Sequence, residues 1–130
     1  MTALAANRNT VERANAIFSF PIAASTKIYQ GSIVCINASG YAVPGSTATT
    51  LKTVGRAEHL IDNSAGSAGA LQVDVKRGCF RFTNGESITL ASVGANAYVT
   101  DDQTVGTTAT GKSIAGIIRD VDADGVWIEI

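Results

Sequence analysis

The acidic run Asp120-Val121-Asp122-Ala123-Asp124-Gly125 is where this sequence comes nearest to a ligand-binding pattern. Alternating carboxylates with glycine in sixth place open a calcium loop, because hard oxygen ligands must converge around a sharp turn. The twelfth-place glutamate of such a loop falls past Ile130, and both flanks read as strands rather than helices. The favoured reading is a hairpin turn in which Asp124-Gly125 supplies the positive-φ residues. The spacing alone leaves open whether Asp120, Asp122 and Asp124 bind calcium.

Other chemistry-bearing residues are scattered. His59 is the single histidine, and Cys35 and Cys79 lie far from it in sequence, so no metal set or triad is spelled out. It is expected to be a solvated or hydrogen-bonded strand histidine. Gly66-Ser67-Ala68-Gly69 lacks the Gly-x-Ser-x-Gly spacing of a nucleophile elbow. Gly111-Lys112-Ser113 is only the tail of a phosphate loop, set in a Thr-rich segment, and reads as a turn. Asp101-Asp102 reads as a solvated turn. These residues identify no catalytic, cofactor-binding or metal site, and the expectation is a protein that is not an enzyme.

The elements around these residues share one grammar. Leu71-Gln72-Val73-Asp74-Val75-Lys76 alternates apolar and polar residues, the period of a half-buried strand. Asn15–Phe20 enters a strand that Pro21 confines to an edge or an end. Ile22–Tyr29 is extended, and Ser32–Asn37 is a short, strongly apolar strand. Tyr41-Ala42-Val43 is stopped by Pro44-Gly45. Thr53–Ile61 is one strand with Gly55 at a bulge or close approach. Asp62–Gly69 is a turn-rich connector, and Asn84-Gly85 a tight turn. Ile88–Val93 fits a strand or a helical turn equally well. Ala97–Val99 is a strand, and Ile114–Val121 with Val126–Ile130 makes a closing hairpin. The fold class is therefore all-β, a compact β-sandwich or small β-barrel of short antiparallel strands. Residues 1–14 form an extended N-terminal arm, and residues 15–130 a single domain.

Composition narrows the function classes. Charged residues are 16% of the 130, against roughly 25% in ordinary soluble domains. Net charge is −1 and the basic residues do not cluster, which argues against a nucleic-acid partner. No apolar run approaches the ~20 residues of a membrane helix. The first residues lack the pattern of a secretion signal, so the two cysteines are expected to be free thiols packed as small hydrophobes. In the last strand Trp127 and Glu129 share the face opposite Val126, Ile128 and Ile130. Tryptophan is enriched at interfaces, so Trp127 and Glu129 are candidates for a subunit contact.

Five blocks in order resemble a family of small tailed-phage proteins encoded beside the major capsid protein, the head decoration or capsid cement proteins. They are Pro21–Val34; Val54-Gly55-Arg56-Ala57-Glu58 with the loop that follows; Val73–Phe80; Ala97–Val105; and Ala115–Ile118 with Val121–Ile128. The resemblance spans residues 15–130. It implies a structural virion protein that binds the phage major capsid protein and stabilises the shell. It implies a homotrimer on the capsid surface, assembled in the host cytoplasm, with no cofactor. Under that reading the arm residues Thr2, Ala3, Leu4, Asn7, Arg8, Asn9, Thr10 and Val11 are the capsid-binding segment, adding as a strand to an exposed sheet edge. Other virion parts (tail-tube, head-completion or spike proteins) and a small carbohydrate-binding β-module are the alternatives.

Overall fold

A computed structural model describes residues 2–130. The strands are β1 Ile17–Pro21, β2 Thr26–Ile28, β3 Ile33–Ile36, β4 Ala42–Pro44, β5 Lys52–Ala57 and β6 Ile61–Asn63. They continue as β7 Gln72–Lys76, β8 Cys79–Asn84, β9 Asn96–Val99, β10 Thr104–Gly106, β11 Ile114–Asp122 and β12 Gly125–Glu129. The chain is all-β, and of the architectures the sequence allowed it contains a small five-stranded barrel, beside a separate five-stranded sheet. An open sheet runs β1-β7-β5-β3-β4, a closed barrel runs β10-β8-β12-β11-β9, and β2 pairs with β6. Pairing is antiparallel except between β10 and β8, which run parallel with Thr104 beside Thr83, and at the single parallel bridge of Ile22 to Ala42 in β4.

Strand parity explains the layers. In β7, Val73 and Val75 are buried while Gln72, Asp74 and Lys76 face water. β3 has no polar face, because it divides two cores. Ile33 and Cys35 belong to the barrel core, with Val99, Val105, Ile118 and Ile128. Val34 belongs to the other core, with Ile22, Ile28, Val73 and Val75, and Ile36 packs against it. Full burial of each Ile or Val side chain contributes roughly 1.5–3 kcal/mol, so this short strand anchors both halves.

Polar bonds tie the halves together. The buried Ser113 hydroxyl donates to the Ala48 carbonyl at 2.6 Å and accepts the Leu51 N–H at 3.2 Å. The Thr53 hydroxyl donates to the Ile114 carbonyl at 2.8 Å. Gly55 sits where the β3–β5 register shifts, at φ +155°, and a Cβ there would lie 2.6 Å from the Lys76 carbonyl oxygen. Bulge and close approach therefore coincide at this glycine.

Several local expectations are corrected. Thr53–Ile61 is two strands, not one: past Ala57 the chain leaves β7 so that Ile61 can pair with Ile28 and pack on the second core. The strand β6 takes Asp62 and Asn63 out of the predicted connector. His59 is consequently an exposed loop residue. Asn84-Gly85 is not a two-residue turn. Asn84 ends β8, and its side chain bonds both the N–H (2.8 Å) and the C=O (2.9 Å) of Ile88, standing in for a strand partner. Pro44 lies within β4, at its last position. The ambiguous segment holds one short 3-10 turn, Leu90–Ser92. The β11–β12 turn is Ala123-Asp124, one residue earlier than predicted, with Asp122 opposite Gly125 and no positive φ at Asp124. Glycine is still required at 125, since a Cβ there would collide with the Phe82 carbonyl oxygen. Cys35 is a buried free thiol, but Cys79 is exposed. Parity accounts for this: Phe80 and Phe82 turn inward, so Cys79 and Arg81 turn out.

Candidate functional site

The N-terminal arm is the most accessible part of the chain. Residues 2–14 form no strand or helix, and each is exposed. All eight predicted arm residues, Thr2, Ala3, Leu4, Asn7, Arg8, Asn9, Thr10 and Val11, lie in this segment; Met1 lies outside the described residues. Leu4 is 73% and Val11 88% exposed, an unfavourable place for aliphatic side chains in water. Fully extended, thirteen residues reach about 43 Å. The arm joins the body firmly. Arg77 donates through Nη1 to the Asn15 side-chain oxygen at 2.7 Å and through its backbone N–H to the Ala16 carbonyl at 2.7 Å. The Arg13 guanidinium stacks 4.6 Å from the Phe18 ring.

Next to the arm's root is a concave face at the junction of the two halves. One cavity of about 640 Å³ is lined by residues including Leu51, Thr53, Tyr98, Lys112 and Ile114. A second, of about 260 Å³, is lined by Phe18, Phe20, Thr53, Val54 and Arg77. They meet at Thr53.

Trp127 and Glu129 do share one face, but each already has a partner. The Trp127 indole N–H donates to Asp122 Oδ2 at 2.8 Å, and Arg81 lies 5.8 Å from the ring. Glu129 Oε2 accepts from Arg119 Nε at 2.7 Å. Asp122 Oδ1 accepts the Asp124 and Gly125 N–H groups at 2.8 and 3.0 Å. The indole bond, then these turn N–H groups, hold the Asp122 carboxyl below the usual Asp range. Asp120 accepts its neighbour Val121's N–H, and Asp124 lies 3.7 Å from Arg81. The three carboxylates of the acidic run thus have three separate engagements. Among the described residues, no three His, Cys, Asp or Glu side chains are grouped to hold a metal ion.

One polar site was not foreseen from the sequence. Glu86 accepts the N–H groups of Thr107 and Thr108, each at 3.0 Å, the Thr108 hydroxyl at 2.9 Å and Lys112 Nζ at 3.0 Å. Lys112, then Thr108, lead the interactions that pull its carboxyl down to about 2. The Gly111-Lys112-Ser113 turn therefore binds an anion, but the anion is the chain's own. The Thr-rich run beside a lysine was the signal; the acid lies too far away in sequence to be matched to it. Asp101 caps its turn through the Gln103 N–H at 2.9 Å, and the Asp102 carbonyl accepts the Ile33 N–H. Gly66–Gly69 wraps the buried Asn63, whose amide donates to the Ser67 and Ala23 carbonyls.

Comparison with protein-family models, curated proteins and solved structures returned no match.

Proposed function

We propose that this chain is a non-enzymatic structural virion protein that decorates a phage capsid and stabilises it by binding the major capsid protein. The observation that carries this reading is the arm. Its residues Thr2–Val11 bear one charge, Arg8, and hang exposed from a body held rigid by two cores. An extended segment of this kind binds by adding to a sheet edge, where main-chain hydrogen bonds supply affinity and side chains such as Leu4 and Val11 fill pockets. The low-charge body suits close, repeated contacts on a shell, since interface cores are depleted in charged residues. Ordering the arm costs conformational entropy, which burial of its aliphatic residues offsets.

The test is co-sedimentation with purified expanded shells. The full chain is expected to pellet with them, and a chain lacking residues 2–11 to stay in the supernatant with an unchanged melting temperature. Equal binding by the truncated chain would remove the arm from the mechanism. No binding by the full chain would end the decoration reading.

A further inference from the structure

The arm is not the only part of the molecule built for strand pairing. Most sheet edges here are closed or blunted. The barrel has no edge. On β4, the Ala42 carbonyl accepts the Ala23 N–H at 3.0 Å, and Pro44 has no N–H to offer. The strands β2 and β6 are three residues each. The strand β1 differs: among the described residues its five positions pair with β7, and the chain meets β4 just past its end, where Ile22 bridges Ala42 in parallel, so the outer side of Ile17–Ser19 is the open stretch.

The hydrogen-bond phase of β1 is fixed by its two ends. Arg77 N–H donates to the Ala16 carbonyl, and Ile22 N–H donates to the Leu71 carbonyl. The register in between places Phe18 opposite Val75 and Phe20 opposite Val73. An antiparallel ladder alternates, so Ala16, Phe18, Phe20 and Ile22 turn their backbone groups toward β7. Ile17, Ser19 and Pro21 turn theirs outward. Pro21 lacks an N–H and costs nothing there. Ile17 and Ser19 each present an N–H and a C=O that have no partner among the described residues, and Ile17 is 54% exposed. Asn15–Pro21 carries no charge, the usual protection of an open edge.

We propose that β1 pairs with β1 of a second copy, antiparallel across a two-fold axis at Phe18, merging two five-stranded sheets into one. This register is self-complementary. Ile17 and the partner's Ser19 exchange both backbone bonds, and the symmetric pair does the same. Every outward donor and acceptor of Ile17 and Ser19 is then satisfied. An axis at Ser19 instead leaves the Ile17 carbonyls unpaired, because Ile17 then faces proline. With the axis at Phe18, the two Phe18 rings become a cross-strand aromatic pair. No like charges face each other, and the contact is isologous, so it closes at two copies. This inference rests on the fold and not on the capsid reading.

Light scattering on a sizing column, over a range of protein concentrations, tests it. The full chain is expected to approach twice its 13.4 kDa mass. Ser19→Pro removes the outward N–H together with the Ser19 hydroxyl's bond to Asp74, and is expected to run as a folded monomer that melts close to Ser19→Ala. Ser19→Ala, which removes only the 2.6 Å bond from the Ser19 hydroxyl to Asp74, is expected to stay dimeric. A second readout does not depend on the proline variant folding. Phe18→Cys in a Cys79→Ser background is expected to give a disulfide-linked dimer on mild oxidation, since residues facing each other in this register bring their Cα atoms within the ~4.4–6.8 Å of a disulfide. A monomeric full chain, a trimer, or a dimer that survives in folded Ser19→Pro would overturn the proposal. So would a dimer lost on deleting residues 2–11 but kept in Ser19→Pro, which would mean arm exchange. Shell binding is measured separately, so either proposal can fail without the other.

Discussion

The Trp127 indole N–H rests on Asp122 at 2.8 Å, and the other oxygen of that carboxylate holds the hairpin turn preceding the tryptophan. One ionised group therefore sets both the turn and the position of the only tryptophan in the chain.

That relationship predicts a pH-dependent fluorescence signal. The folded Asp122 carboxyl lies below its ordinary 3.8, so the contact is fully present above that value and is lost as pH falls through the depressed one. Tryptophan emission is expected to be flat from neutral pH to about 4 and to shift below it. Asp122→Asn should move the emission already at pH 7. Identical spectra for the variant and the wild type would show that this bond does not hold the ring.

Glu86 should confer acid sensitivity over a wider window. Its carboxyl is lowered from 4.5 to about 2, so its stabilising effect is complete above 4.5 and disappears as pH falls toward 2. Glu86→Gln is expected to lower the melting temperature at pH 7, with the gap to wild type closing across that window. Gly106→Ala should act similarly, because a Cβ there would lie 2.5 Å from the Glu86 carboxyl carbon. Thermal melts at pH 7, 4 and 2 on the three proteins check this, and a gap that does not change with pH would exclude the charge as its cause.

The shared strand β3 should be intolerant of truncation. Ile33 is fully buried in the barrel core, and Ile33→Ala is expected to cost about 2–5 kcal/mol in chemical denaturation. Val34→Ala, one residue along, removes volume from the other core. If one cooperative unit contains both cores, each variant shifts a single unfolding transition. Two separated transitions in either variant would show that the halves unfold independently.

The cysteines should differ in reactivity. Cys79 is exposed, while Cys35 is buried, and that burial pushes its thiol up despite the opposing hydrogen bond with Thr53. A thiol reagent is expected to titrate one group per native chain and two after denaturation. Two rapid equivalents in the native protein would contradict the burial of Cys35.

Much of the fold was legible because strand parity is a local signal. The alternation around Val73 and Val75, the edge position of Pro21 and the special role of Gly55 could all be read from neighbouring residues. The candidate arm was legible too, as a stretch with no period to bury. What failed were boundaries that depend on distant partners. Residues Thr53–Ile61 look continuous until β2 claims Ile61. Asn84-Gly85 looks like a turn until the Asn84 side chain bonds Ile88.

By itself, then, the sequence determined the strand grammar, the all-β class and the exposed arm, since side-chain period and turn chemistry act over a few residues. Tertiary structure alone decided that β3 serves two cores, that Lys112 is matched by Glu86, and that β4 covers the chain at Ile22 while the outer groups of Ile17 and Ser19 have no partner among the described residues. Those outcomes depend on which strands become neighbours, and pairing is chosen by long-range packing that no short window of residues encodes.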